Sequence, residues 1–173
     1  IIKTGTSSRV MSITAPGGKV KSNILLIGPY GCGKTELARA VCADSRVIGA
    51  SVSVANTLTA YMHESVGNVK RIFDQAVELR TEARNAKPLV LVLDEFDGWF
   101  VRGSNGTNSD VDMQQIEDVF LEVLDGMENY NGVVTLAMTN IPKAIPPRII
   151  RRFRYVDIVE KLKKEEREKI LAL

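Results

Sequence analysis

The amino-acid sequence predicts an α/β fold built on a parallel sheet, and three observations lead to this prediction. Short, continuously apolar runs alternate with stretches of helical periodicity, as expected when crossover helices cover both faces of a parallel sheet. A glycine-rich turn follows the first apolar run, and two acidic residues end the most apolar one. The predicted strands are residues 23–27, 51–54, 89–93, 133–139 and 155–159.

Three helices are predicted between these strands. The first, residues 34–43, directly follows the glycine-rich turn. The second, residues 64–83, is indicated by apolar residues at i, i+3, i+4 and i+7, namely Val69, Ile72, Phe73 and Ala76. The third carries a similar stripe and has Gly126 near its end; its members are Met113, Ile116, Phe120, Val123 and Met127. Residues 102–110 are polar and predict a loop, whereas residues 161–173 are helical by composition.

The composition is that of an ordinary globular chain. Its 173 residues include 23 Lys and Arg against 21 Asp and Glu, and 45% are hydrophobic, which excludes an intrinsically disordered chain. The apolar runs are far shorter than the roughly 20 residues of a membrane-spanning helix. A net charge of +2 gives no reason to expect nucleic acid or an anionic membrane as the partner. The chain begins with Ile1 rather than Met, so we expect it to be part of a longer protein.

The cysteines predict neither a disulfide framework nor a zinc site. Cys32 and Cys42 are too few for the former, and with His63 as the single histidine they lack the spacing of the latter. We therefore expect reduced thiols and a cytoplasmic location.

Residues 28–35, GPYGCGKT, match the pattern G-x-x-x-x-G-K-[ST] and predict a phosphate-binding loop, called the glycine loop below. Glycines let the backbone N–H groups approach phosphate oxygens, and the following helix directs its positive N-terminus at the same anion. Lys34 is predicted to bridge the β- and γ-phosphates of ATP, and the Thr35 hydroxyl to bind Mg²⁺. The predicted nucleotide-binding residues are Gly28, Pro29, Tyr30, Gly31, Cys32, Gly33, Lys34, Thr35 and Glu36. The alternative, an ordinary strand-to-helix turn, is disfavoured by the strand–loop–helix context.

Two carboxylates end the most apolar predicted strand. Ligands of α/β sheets bind at the carboxyl ends of the strands, which places Asp94 and Glu95 near the glycine loop. Adjacent acids at such a place are costly unless a cation or a reacting water uses them. Asp94 is therefore predicted to hold Mg²⁺ through a water, and Glu95 to act as the general base. A solvated turn at the strand end is the alternative.

From about residue 21 to residue 159 the sequence resembles the AAA family of ATPases, within the larger AAA+ group. The motifs that carry the resemblance are GPYGCGKT, VGNVKRIFDQA, LVLVLDEFD, VFLEVLDGM and VVTLAMTNIP. The resemblance implies a P-loop NTPase three-layer sandwich, with a five-stranded parallel sheet of order 5-1-4-3-2 flanked by helices. It also implies that residues 1–160 form the large nucleotide-binding subdomain, that residues 161–173 begin a helical lid, and that six copies form a ring.

The resemblance assigns further site residues near the last two strands. Asn140 takes the place of the family's sensor, whose amide contacts the γ-phosphate or the attacking water; a turn-forming Asn before a proline is the alternative. Arg151 and Arg152 resemble the arginine fingers that reach a neighbouring subunit's ATP, within a cluster that includes Arg148 and Arg154. The family's glycine is missing from this segment, so the choice of finger stays open. A solvated basic edge is the alternative.

Residues 56–66 resemble the segment that carries the family's central pore loop. Tyr61 and Met62 would be the aromatic and thioether pair that grips a polypeptide without strict selectivity. His63 stands where the family has a glycine. Ordinary core packing is the alternative for Tyr61 and Met62.

Together these features predict a Mg-ATP-hydrolysing motor domain that remodels, unfolds or threads protein substrates in an oligomeric ring. A nucleic-acid-directed AAA+ ATPase, such as a loader or helicase, is one alternative; it would call for basic loops, whereas residues 102–112 hold one Arg and two Asp. A non-catalytic ATP-binding assembly module is the other, and the intact Glu95 argues against it.

Overall fold

A computed structural model describes residues 23–53, 62–83, 87–100, 109–125, 130, 132–160 and 163; the side chains of residues 62–66 and 109–112 lie outside this description. The strands are β1 (Ile24–Ile27), β2 (Ile48–Ser53), β3 (Leu89–Asp94), β4 (Val133–Thr139) and β5 (Tyr155–Ile158). The helices are α1 (Lys34–Cys42), α2 (Met62–Glu82), α3 (Ser109–Leu124) and α4 (Pro147–Ile150), with 3₁₀ turns at Phe96–Trp99 and Pro142–Ala144. Within the described ranges, no helix is both long and apolar enough to cross a membrane.

The five strands form one parallel sheet in the order β2-β3-β4-β1-β5. Read from the other edge, this is the predicted order 5-1-4-3-2, which is therefore confirmed. The insertion of β1 between β4 and β5 is the consequence that matters for the site. Ile27, the last residue of β1, pairs with Thr139, the last residue of β4, so the glycine loop begins beside the end of β4. β3 ends on the other side of β4, where Leu93 pairs with Ala137.

Apolar side chains cover both faces of the sheet, which explains why its central strands are continuously apolar. Leu25 points into the larger core, which α2 and α3 cover, whereas its neighbour Leu26 points into a smaller core that contains Ala38 of α1. The predicted stripe on α2 is confirmed: Val69, Phe73 and Ala76 are buried in the larger core. The stripe on α3 is confirmed in the same way for Ile116, Phe120 and Val123, with Met113 packed against it; Met127 lies outside the described residues.

An aromatic cluster joins three segments near the carboxyl ends of the strands. Phe96, in the 3₁₀ turn after β3, makes edge-to-face contacts with Phe100, Phe120 and Phe153 at centroid distances of 5.3, 5.1 and 5.6 Å. Phe120 belongs to α3, and Phe153 precedes β5. The cluster therefore fixes the segment that follows Glu95 and the segment that carries the arginines to one another.

Two parts of the predicted secondary structure were incomplete. β2 begins at Ile48, three residues before the predicted start, because it pairs with β3 from Ile48 opposite Leu89. This edge strand alternates half-buried and exposed residues, so it lacks the continuous apolar run of the central strands. The Phe96–Trp99 turn and α4 were not predicted, since four residues are too few to show helical periodicity.

Candidate nucleotide-binding site

The glycine loop leaves the sheet directly after β1, and its backbone needs glycine at several points. Gly31 and Gly33 have φ values of +72° and +94°, which residues with a side chain rarely adopt. A Cβ on either would meet no described atom within 4 Å, so space is open beside both. At Gly28 the φ angle is ordinary, but a Cβ would lie 2.4 Å from the carbonyl oxygen of Val159. The loop therefore requires glycine for two reasons: the backbone angle at Gly31 and Gly33, and the close approach at Gly28.

Helix α1 begins at the end of the glycine loop. Gly33 is its N-cap and offers no side chain to the first turn, so the backbone N–H groups there are available to an anion. Thr35 and Glu36 are exposed in this first turn. Glu36 accepts a hydrogen bond from Arg39 at 2.5 Å, an exposed pair on the helix surface. The donors and the open space fit a phosphate group.

Lys34 is buried, with its ammonium turned back onto the glycine loop. Its Nζ donates to the carbonyl oxygens of Gly28 and Pro29 at 2.7 and 2.9 Å and to Oδ1 of Asn140 at 2.7 Å. The Sγ of Cys32 lies 3.4 Å from the same nitrogen. All these acceptors are uncharged. A phosphate that entered the loop would therefore give the buried ammonium an anionic hydrogen-bond partner.

The two predicted acids lie at the end of β3. Asp94 is half-buried and accepts a hydrogen bond from the backbone N–H of Glu95 at 2.9 Å. Glu95 is exposed and has a φ of +53°, a conformation that costs free energy in a residue with a side chain. Its carbonyl accepts from the N–H of Gly98 at 2.8 Å, which starts the 3₁₀ turn. With β4 between β3 and β1, Asp94 lies about 10 Å from the start of the glycine loop, a distance that a nucleotide's phosphates and a hydrated Mg²⁺ can span.

Asn140 follows β4 and lies between these two groups of residues. It is half-buried, and its Oδ1 accepts the hydrogen bond from Lys34. The Oγ1 of Thr139 donates to Oδ1 of Asp97 at 2.5 Å and accepts from the N–H of Ile141 at 3.0 Å. Asp97 and Thr139 were not predicted as site residues. Two signals could have found them: a third acid, three residues after Asp94, and a threonine inside an apolar strand directly before Asn140.

The structure separates the four clustered arginines. Arg148 is bound to α3 through Glu117 and, at 3.2 Å, Asp118; Arg152 lies 2.8 Å from Asp125 at the end of the same helix. Arg154 lies over the ring of Tyr155, 5.5 Å from its centroid. Arg151 is exposed and has no ion pair with any residue that the structure describes.

The predicted pore-loop residues are only partly covered. Tyr61 lies outside the described residues, and Met62 is the first residue of α2, with its side chain outside the description. Their role stays a prediction.

A parallel sheet whose first strand enters such a glycine loop, with acids at the end of another strand, defines a P-loop nucleotide-binding domain. The sequence model of the ATPase family associated with various cellular activities (AAA) matches residues 24–161, and the chain belongs to this family. The prediction of an AAA-type ATPase domain is thereby confirmed.

Several curated proteins are similar to the chain over most of its length. The ATP-dependent zinc metalloprotease FtsH of Pelobacter propionicus is 32% identical over 91% of the chain. The peroxisomal ATPase PEX6 of Arthrobotrys oligospora is 35% identical over 82%, and the ribosome biogenesis ATPase RIX7 of Saccharomyces cerevisiae is 33% identical over 82%. The chain spans only 25%, 12% and 15% of the lengths of these three relatives.

Proposed function

We propose that the chain is a Mg-ATP-hydrolysing motor domain that remodels, unfolds or threads protein substrates within a ring of six like or related subunits. The contact that carries this proposal joins Lys34 of the glycine loop to Asn140 at the end of β4, 2.7 Å apart. It brings a phosphate-binding cation and a γ-phosphate sensor together beside the strand that ends in Asp94 and Glu95. A relative that is named as an ATP-dependent protease supports a protein substrate.

In the proposed mechanism, the phosphates of ATP lie against the N–H groups of the glycine loop and the start of α1. Lys34 exchanges its contacts with the Gly28 and Pro29 carbonyls for phosphate oxygens. Thr35 would bind Mg²⁺ directly and Asp94 would hold it through a water, and the ion when bound would offset the negative charge of the phosphates. Mg²⁺ usually keeps several of its waters, which agrees with so few direct protein ligands.

Glu95 and Asn140 act on the attacking water. The exposed Glu95 carboxylate accepts the water's proton, and the side chain of Asn140 orients the water or the γ-phosphate. When ATP arrives and Lys34 turns to the phosphates, the Asn140 amide loses its present partner and can contact the nucleotide. This exchange gives the site a way to distinguish ATP from an empty site.

Arg151 is the arginine that we propose as the finger directed at a neighbouring subunit. Arg148 is paired to acids of α3 and Arg152 to Asp125 directly after that helix, whereas the exposed Arg151 guanidinium has no ion pair in the described part of the chain. A planar cation suits the dispersed negative charge of a phosphoryl-transfer transition state.

The substitution Glu95→Gln tests the catalytic assignment. It removes the proton acceptor while keeping the shape, so ATP turnover should fall about 10²-fold or more while ATP binding persists. Turnover is measured by phosphate release, and binding by titration with a fluorescent ATP analogue. Measurable turnover in the parent protein, lost in the variant, would exclude the non-catalytic assembly module. Equal turnover in the two proteins would contradict the role of Glu95.

Threading and location remain proposals on different grounds. Tyr61→Ala in the full-length protein should abolish substrate processing while ATP turnover continues, and unchanged processing would refute the threading role. Tight, salt-sensitive DNA binding in a filter assay would instead favour the nucleic-acid-directed alternative.

A cytoplasmic location is supported by Cys32 and Cys42, which are both unpaired thiols.

A further inference from the structure

A buried hydrogen bond joins the segment that carries Glu95 to the strand that leads into Asn140. Thr139 is fully buried and Asp97 is 8% exposed, and the hydroxyl of the first donates to the carboxylate of the second at 2.5 Å. Thr139 ends β4, whereas Asp97 lies in the 3₁₀ turn that Glu95 begins. The bond therefore connects the two groups proposed to act on the attacking water.

The directions of the hydrogen bonds around Thr139 are set by chemistry. The backbone N–H of Ile141 can only donate, so the Thr139 oxygen accepts from it, at 3.0 Å. The single hydrogen of the hydroxyl is then directed to Asp97, which accepts it. Asn140 lies between Thr139 and Ile141 in the sequence, so the hydrogen bond between these two residues restrains its backbone. A third contact, from the N–H of Gly28 to the Thr139 carbonyl at 3.2 Å, joins the same residue to the glycine loop.

We propose that Asp97 and Thr139 are positioning residues that hold Asn140 and the turn of Glu95 in the arrangement that distinguishes ATP from ADP. This inference rests on the proposed function. A buried carboxylate costs free energy that an apolar pair at the same place would avoid, so stability alone gives little reason for this pair. Its effect is geometric, since a satisfied buried polar bond permits one arrangement of the groups that make it.

The substitutions Thr139→Val and Thr139→Ser test this proposal. Valine keeps the shape but lacks the hydroxyl, and serine keeps the hydroxyl. In Thr139→Val, kcat should fall tenfold or more, while the affinity for ADP, which lacks the γ-phosphate, stays within about threefold. The ratio of ATP to ADP affinity, measured with fluorescent analogues, should also fall about tenfold, whereas Thr139→Ser should retain most of both. A merely structural role would move the unfolding midpoint without changing this ratio.

A second variant and a cycle complete the test. Asp97→Leu removes the acceptor of the same bond without altering β4, so it should reproduce the effect of Thr139→Val. If Thr139→Val does not fold, Asp97→Leu alone tests the proposal. In a cycle with Asn140→Ala, the losses in kcat should be strongly non-additive, because both substitutions disable the same amide. Wild-type kcat and wild-type ATP to ADP ratio in folded Asp97→Leu or Thr139→Val would overturn the inference. A parent protein that neither binds nor hydrolyses ATP would instead overturn the proposed function.

Discussion

Gly28 lies where β1 leaves the sheet, and its surroundings show what a single residue contributes to the nucleotide site. The position has an ordinary backbone conformation, so the need for glycine comes from close approach: a Cβ would lie 2.4 Å from the Val159 carbonyl and 2.9 Å from the Sγ of Cys32. The Gly28 carbonyl is also one of the acceptors of Lys34. A side chain here would displace both the loop and the lysine.

The substitution Gly28→Ala should therefore destabilise the fold, by about 1–3 kcal/mol as for other overpacked positions, and weaken ATP binding. Gly67→Ala is the matched control. Gly67 lies inside α2, and a Cβ there would meet no described atom within 4 Å. Because alanine stabilises a helix by about 0.5–1 kcal/mol relative to glycine, Gly67→Ala should not lower the free energy of unfolding. Urea denaturation and a nucleotide titration measure both effects. Equal stabilities of the two variants would contradict the close approach at Gly28.

Among the secondary-structure elements, α2 is joined to the segment before β4 by Tyr130. This tyrosine is buried, donates its hydroxyl to Oδ1 of Asp74 at 3.0 Å and makes an edge-to-face contact with Phe73. Burial, then the hydrogen bond to Asp74, then the charges of Asp74 and Glu122 raise the pKa of Tyr130 to about 12. The folded protein therefore keeps the phenol protonated at a pH where the unfolded chain loses the proton.

This pKa shift predicts a pH dependence of stability. Since the folded pKa exceeds the ordinary value of 10.0, the contribution of Tyr130 is fully present below about pH 10 and is lost as the pH rises towards 12. The free energy of unfolding should fall more steeply over this interval in the parent protein than in Tyr130→Phe. Tyr155→Phe, at a half-exposed tyrosine on β5, should follow the parent protein. Identical slopes in the parent and Tyr130→Phe would show that the hydroxyl is not held by α2.

At the scale of the whole molecule, the strand order decides which residues share the site. β4 lies between β1 and β3, so Asn140 lies beside both the glycine loop and the acids. The arginines, in contrast, lie in α4 and on the short segment that joins it to β5. Acids of α3 pair with Arg148, and Asp125, directly after α3, pairs with Arg152. This leaves the exposed Arg151 as the arginine that we propose acts on a neighbouring subunit.

Mixed assemblies test that arrangement. Arg151→Ala should lower ATP turnover by about 10³-fold, and Lys34→Ala should abolish ATP binding. When the two variants are mixed, an Arg151→Ala subunit binds ATP and receives the arginine of a Lys34→Ala neighbour. With random mixing, about one interface in four is complete, and turnover should reappear to a similar extent.

Two controls accompany the mixing experiment. Arg154→Ala should keep the turnover of the parent protein, because Arg154 lies over the ring of Tyr155. Sizing with and without ATP should show an assembly in which the subunits can meet. Failure of the mixture to regain turnover, although both variants assemble, would contradict a finger at Arg151.

The sequence by itself determined the glycine loop, the acid pair at the end of β3, the apolar faces of α2 and α3, and the class of fold. These features depend on residues that are close together in the sequence. Glycines indicate positive φ angles, continuous apolar runs indicate buried central strands, and apolar periodicity indicates helices. The tertiary structure alone decided that Lys34 meets Asn140, that Asp97 binds Thr139, and that Arg152 is paired with Asp125 whereas Arg151 has no ion pair with any described residue. The first two contacts join residues 106 and 42 positions apart. Both contacts depend on the position of β4 in the sheet. A local sequence pattern does not predict which distant side chain will lie beside a given residue on a neighbouring strand.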